Sequence, residues 1–211
     1  MSEIPDAVDA PLDWVPALRQ TRNGLVRMLS ETEKALDSQD SARARAALGL
    51  LEDIDEQCQQ MTERAVTTAK NGDESTEKGI WRVRIAGNAG RLAREVAGVA
   101  EIAINKIEGR VLFSDKANNE LRPLFAFVRK ALGDVFDGIE TGNQTLLIAV
   151  ISTSEKIASE SNAAATEHEE RLVQGLCRPK ASALFLDLIY SLRGISHTLK
   201  TLVRDVPERE S

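Results

Sequence analysis

Apolar residues recur along most of this chain at alternating spacings of three and four. The clearest run lies near the C-terminus, where Phe185, Leu188, Leu192, Ile195, Leu199 and Leu202 step by 3, 4, 3, 4 and 3. That spacing gathers them into one stripe along an α-helix, and the stripe must be buried against other helices. Ala47, Leu51, Ile54, Cys58, Met61 and Ala65 repeat the stepping. So do Ile85, Ala89, Leu92, Val96, Val99 and Ala103, and again Leu121, Phe125, Val128, Leu132, Val135 and Ile139.

The breaks between stripes predict six helices. Asp13 can cap the first, with Pro16 in its opening turn, and the helix runs to about Ser38 with Leu18, Leu25, Leu29, Thr32 and Leu36 on its buried side. The polar run 38–41 separates it from a second helix that ends before Asn71-Gly72. A third is expected from about Glu77 to Val111. Ser114 or Asn119 can cap the fourth; Pro123 is tolerated if the helix starts near Asn119 and otherwise kinks it. The fifth is expected from about Asn143 to Gln174, its Ala- and Ser-rich second half projecting partly into solvent or against a partner. Pro179 opens the sixth and Pro207 ends it.

A shift of 103 residues lays the first half on the second, so that Leu18, Leu25, Leu29 and Leu36 fall on Leu121, Val128, Leu132 and Ile139. The expected architecture is all-α, an antiparallel bundle of two three-helix units. Residues 1–12 read as a disordered leader, 13–206 as one helical domain with repeats 13–112 and 114–206, and 207–211 as a tail.

Composition supports this picture. Aromatic residues make up only 4% of the 211, which favours helix over strand. The net charge of −6 argues against non-specific nucleic-acid binding, which needs a basic surface. No apolar run reaches the roughly 18–20 residues that cross a bilayer, and the acidic start lacks a secretory pattern; a cytoplasmic protein is expected. Cys58 and Cys177 stand far apart with no metal spacing and read as buried or inert thiols. Gly79, Gly87, Gly90 and Gly98 in the third helix are expected to let a neighbouring helix approach, since no GxxxxGK[ST] phosphate loop is present.

The last helix also carries a resemblance. FLDLIYSLRGISHTL, residues 185–199, is similar to the signature helix of the PhoU family, approximately YLDLLRDLERIGDHA. VAGVAEIAINKIE, residues 96–108, resembles the related LERIGDHAVNIAE form. FSDKANNELRPL, residues 113–124, looks like a segment of the PhoU-like cytoplasmic region of bacterial sodium/phosphate cotransporters. The resemblance implies a PhoU-like bundle over roughly residues 17–205 and a regulatory role in phosphate transport.

In that family two carboxylates four residues apart share a helix face and a metal ion. The matching positions here are Ala97 and Glu101 in the first half and Arg193 and His197 in the second. Only Glu101 keeps a carboxylate, and an arginine brings a fixed positive charge that opposes a cation. The positions carry over; the metal binding does not, and no cofactor is expected.

Arg193 and His197 share a face and could bind an anion. The plainer reading pairs Arg193 with an acid on a neighbouring helix and half-buries His197. His168, in EHEER, reads as a solvated face. The third helix and its end carry Arg82, Arg84, Arg91, Arg94, Lys106 and Arg110 against Glu95, Glu101 and Glu108, either a docking face or a solvated one, and Trp81 is an exposed anchor or a core cap. No nucleophile stands with a base in a pattern such as GxSxG.

The expected function is that of a non-catalytic adaptor. It docks a helix face on a protein partner, a phosphate transporter or its sensor at the inner membrane face, with Glu101, Arg193, His197, Arg84 and Arg91 as candidate contacts. The alternatives are a metal site with non-family ligands, or a structural homodimer joined through the fifth helix at Leu146 and Leu147.

Overall fold

The computed structural model describes residues 14–206, and among them every regular element is a helix. The expected leader, the Asp13 cap, Pro207 and the tail lie outside the described residues. The helices are α1 (Trp14–Ser38), α2 (Ser41–Leu48), α3 (Leu50–Asn71), α4 (Thr76–Glu108), α5 (Asp115–Thr141), α6 (Gln144–Val173) and α7 (Pro179–Arg204). The second expected helix is thus two segments, α2 and α3. They join at Gly49, whose backbone stays right-handed, so the path continues with a break rather than a turn.

Side-chain caps set most of the starts. Asp40, Ser75, Ser114 and Asn143 each accept a backbone N–H three residues on, satisfying a donor that the first turn leaves free. Of the two caps expected for α5, Ser114 is the one used. Pro123 therefore sits in the helix interior, and α5 continues through it.

The ends share one device. Gln39, Gly72, Arg110, Gly142 and Gly175 have φ of 55°, 78°, 50°, 63° and 74°. In each case the next N–H turns back to a carbonyl in the last helical turn, as in Val111 to Lys106 at 3.0 Å. α4 stops at Glu108 and not at Val111 because Arg110 takes this left-handed position. Its neighbour Gly109 stays right-handed, so the glycine was no guide. The left-handed residues 39 and 142, and 72 and 175, are each separated by the 103-residue shift.

Neighbours in sequence pack antiparallel. Thr21 meets Met61 between α1 and α3, and Arg94 meets Asp55 between α3 and α4. The two halves then join through two more antiparallel pairs. α1 lies on α5, with Arg22 bonded to Asp137 at 2.8 Å and Arg19 to Glu140. α4 lies on α7, with Asn88 donating to Asp205 at 2.6 Å and Thr198 to Glu95 at 2.8 Å. α1, α4, α7 and α5 form an inner ring; α2 with α3, and α6, flank it. α1 and α4 run parallel within it, as do α5 and α7. One apolar cluster draws side chains from all seven helices.

The second half of α6 exposes one side to solvent and buries the other. Ser154, Ile157, Ser161, Ala164, Ala165 and His168 form its buried stripe. The small side chains fit a close contact with the flanking helices, a pattern that reads as polar in sequence. Leu147 belongs to the core and Leu146 is half-buried, whereas Ile148 is the exposed residue of that turn. A charge at Leu147 would therefore disrupt folding rather than report on dimerisation.

The glycines of α4 divide. At Gly79 a Cβ would fall 2.8 Å from the Cβ of Ala69, so this glycine does admit α3. Gly87 and Gly98 have nothing within 4 Å, and Gly90 has only ordinary contacts. Close approach was expected at all four and is required at one.

Two substitutions test these readings. Gly138→Ala would bring a Cβ 2.8 Å from the buried Leu147 Cδ2 and should destabilise the fold by about 1–3 kcal/mol. Arg110→Gly relieves a left-handed arginine and should stabilise by up to about 1 kcal/mol. Urea unfolding of both variants measures the two signs.

Candidate functional site

The bonds between α4 and α7 fix their register. Asn88 with Asp205, and Glu95 with Thr198, both sum to 293, so each step up α4 is one step down α7. Ala97 is then level with Ser196, and Glu101 with Leu192. The buried stripes of both helices face the inner ring. Their other sides form a solvent-facing seam between α3 and α6.

On α4 this seam presents Arg84, Gly87, Arg91, Arg94, Gly98 and Glu101, stepping by 3, 4, 3, 4 and 3. On α7 it presents Gly194, His197, Thr201 and Arg204, stepping by 3, 4 and 3. Four of the sequence-derived candidates, Arg84, Arg91, Glu101 and His197, therefore lie on the exposed side of one helix pair. Ala97 does not; it is 3% exposed and packs in the core. Gly87, Gly98 and Gly194 leave bare backbone here, with nothing within 4 Å of an added Cβ.

Arg193 turns toward α6. Its Nη1 donates to Asn162 at 2.6 Å and its guanidinium lies over the Tyr190 ring at 4.9 Å. Its partner is thus an amide and an aromatic face, where an acid was expected. His197 is exposed rather than half-buried. Arg193 is therefore engaged on the α6 side of α7, while His197 is open to solvent.

The helix boundaries also bear on the motif positions. α4 begins at Thr76 and α7 at Pro179, 103 residues apart. At that shift Arg193 and His197 correspond to Gly90 and Arg94, seven residues before Ala97 and Glu101. Arg94 bonds Asp55 on α3 at 3.3 Å, much as Arg193 reaches α6. Among the described residues, no three His, Cys, Asp or Glu side chains gather where they could hold a metal ion.

The positive excess of α4 is mostly consumed locally. Arg82 is buried against Glu74 at 2.7 Å, and Lys106 is buried on Gln39 at 2.9 Å and on the Phe113 ring. Arg91 pairs with Glu95 at 3.1 Å, and Glu95 takes the Thr198 hydroxyl across the seam. Arg84 is the exposed cation of the helix with no partner among the described residues. Trp81 is half-buried against Trp14, ring centroids 5.8 Å apart, which makes it a core cap.

His168 was expected in solvent and is 5% exposed. It stacks on Phe185 at 4.4 Å, and its Nδ1 lies 3.2 Å from Arg171, which also holds Glu120. Burial first, and then the Arg171 charge, hold its pKa below the ordinary imidazole value. Its position on the Ser154–Ser161–Ala165 stripe was the signal for burial. Cys58 is buried, and desolvation followed by the Asp55 charge raises its thiol to about 11, so it stays protonated; Cys177 is half-exposed. No helix among the described residues is long and apolar enough to cross a membrane.

Two solved structures share this arrangement. PhoU from Pseudomonas aeruginosa superposes with a TM-score of 0.79 at 18% identity, over 92% of this chain and 93% of that one. The phosphate transport system regulatory protein PhoU from Streptococcus pneumoniae gives 0.77 at 15% identity, over 91% and 92%. The fold is PhoU-like. No protein-family model matches the sequence, and no curated protein sequence matches it.

His168 makes stability depend on pH with a definite sign. Its folded pKa lies below the value of 6.5 that the unfolded chain keeps, so the unfolded state takes up the proton first. The contribution is whole above about pH 6.5 and falls as pH drops toward the folded pKa. Urea midpoints at pH 7.5 and 5.5 should show this loss, and His168→Gln should reduce the difference between them.

Proposed function

On the premise of a PhoU-like fold, we propose that this chain is a non-catalytic regulatory adaptor linked to phosphate transport or phosphate signalling. The observation that carries the reading is the likeness to two PhoU structures over more than nine-tenths of the chain, one titled as a phosphate transport system regulatory protein. The chain acts in the cytoplasm by docking a helix face on a protein partner, a transporter component or its sensor. Residues 13–206 work as one domain of two repeats.

The exposed α4–α7 seam supports a docking role. Gly87, Gly98 and Gly194 each forgo helix stability of about 1 kcal/mol relative to alanine, and no intramolecular contact compensates them. Bare backbone of this kind allows a partner surface to approach closely. Arg84 offers an unspent charge on the same stripe, and Arg91 and Glu101 flank the approach. Arg193 shapes the edge through Asn162 and Tyr190.

A metal-binding reading has less support. Glu101 has no second carboxylate beside it, and the α7 side of the seam offers Gly194, His197, Thr201 and Arg204, none of them an acid. A homodimer through α6 would rest on Ile148 rather than on Leu147.

Pull-down at endogenous level should recover a phosphate transporter component or its sensor. Arg84→Glu with Arg91→Glu should reduce that recovery about tenfold while leaving the unfolding midpoint near wild type. Gly98→Ala with Gly194→Ala should raise thermal stability by about 1 kcal/mol or more and weaken recovery. Recovery that ignores both variants would remove the seam from the mechanism. Failure to recover any transport component would remove the adaptor role itself.

A further inference from the structure

A second feature of the molecule, independent of the docking seam, is a cleft beside a buried arginine with unpartnered donors. It lies where the start of α1, the C-terminal half of α3 and the start of α4 meet. Trp14, Glu63, Arg64, Ala65, Thr68 and Arg82 line a cleft of about 320 Å³ there, within the range of small-molecule sites.

Arg82 dominates it. Its side chain is 1% exposed and its guanidinium lies over the Trp14 ring at 5.3 Å. Glu74 takes only Nη1, at 2.7 Å, and shares itself with Lys78 at 3.3 Å. Nε and Nη2 of Arg82 have no partner among the described residues. Those two atoms are the side-on fork of a guanidinium, the edge that matches two oxygens of one carboxylate or phosphate. The indole Nε1 atoms of Trp14 and Trp81 are buried and likewise unpartnered among the described residues.

The unmet groups are thus four donor nitrogens and one acceptor, Glu74 Oε1, which has the Lys78 ammonium 3.3 Å away; buried donors left unmet are costly. Two carboxylates stand nearby. Glu74 is engaged by Arg82 and Lys78, and Glu63 accepts from Gln59. Desolvation is the chief influence on Arg82 and lowers its pKa, with Glu74 offsetting part of it. A ligand with two or more acceptor oxygens and negative charge answers both the geometry and the charge.

We propose that this cleft binds an oxyanion, phosphate or carboxylate, bidentate on the Nε–Nη2 edge of Arg82 and assisted by the indole N–H group of Trp14. The oxyanion has two available sources: a free anion, or one of the acids Glu3, Asp6, Asp9 and Asp13 that precede Trp14 in the chain.

Trp14 lines this cleft and Trp81, the other tryptophan of the protein, packs against Trp14, so intrinsic fluorescence reads the site. Full-length protein titrated with inorganic phosphate, and separately with succinate, should give a saturable change with at least one that matched sodium chloride does not reproduce. Arg82→Lys keeps the charge and loses the fork, and should weaken the response about tenfold or more. If that variant does not fold, Trp14→Phe removes one donor, leaves Trp81 as reporter, and should weaken the response in its place. A full-length variant with Glu3→Gln, Asp6→Asn, Asp9→Asn and Asp13→Asn separates the sources. Unchanged affinity for the added anion assigns the site to a free ligand, and tighter binding assigns it to competition by the chain's own carboxylates. Flat titrations with both anions, in wild type and in the amide variant alike, overturn the proposal. So does a response that neither Arg82→Lys nor Trp14→Phe weakens.

Discussion

The whole structure depends on burying the inner ring formed by α1, α5, α4 and α7. Leu92, Val96 and Val99 on α4, and Leu188, Leu192 and Leu199 on α7, are wholly excluded from solvent. A large apolar side chain moved from water into such a core contributes roughly 1.5–3 kcal/mol. Either three-helix unit alone would leave part of these surfaces exposed. Joining the halves covers α1 with α5 and α4 with α7, and this burial fixes which faces of the bundle remain free. The α4–α7 seam is exposed because the opposite sides of those helices are committed to the ring.

Polar groups drawn into this bundle are treated unequally. Thr198 donates to Glu95 Oε1 across the seam, and Lys106 rests on Gln39 and an aromatic ring. His168 is kept neutral by burial and by Arg171. Glu95 Oε2 and His168 Nε2 also lack a hydrogen-bond partner among the described residues, but Arg82 leaves two donors unmet. It is the most deeply buried cation and the one whose best hydrogen-bonding edge is unused by the described residues. Proteins pair buried donors closely, so this exception draws attention to the cleft beside Trp14.

Much of the fold was legible in the alternating spacing of three and four, because that spacing states which side of each helix is buried. The stripes of α3, α4, α5 and α7 all lie in the core. What escaped was information that spacing does not hold. Arg110 ends α4 through a backbone angle that glycine usually signals, and here the glycine is one residue early. The buried side of the second half of α6 is made of serine, alanine and histidine, which resemble surface residues in sequence. Register along a helix pair is harder still. Moving a motif by seven residues leaves the apolar stripe unchanged, which is why Ala97 and Glu101 could be matched where the helix boundaries favour Gly90 and Arg94. Arg84, Arg91, Glu101 and His197 share the exposed side of α4 and α7, Arg193 is taken up by Asn162 and Tyr190, and Arg82 reads in sequence as one charge among six.

Glu95 and Thr198 are 103 residues apart, the same interval that relates the two sets of helix boundaries. Each half therefore presents the same site to the other, as two copies do about a dyad. In a true pair of identical chains the residue on the dyad must face itself, and two glutamates there would repel. Covalent fusion lifts that restriction. One half can carry the acceptor and the other the donor, and the two sides of the molecule are free to become unlike.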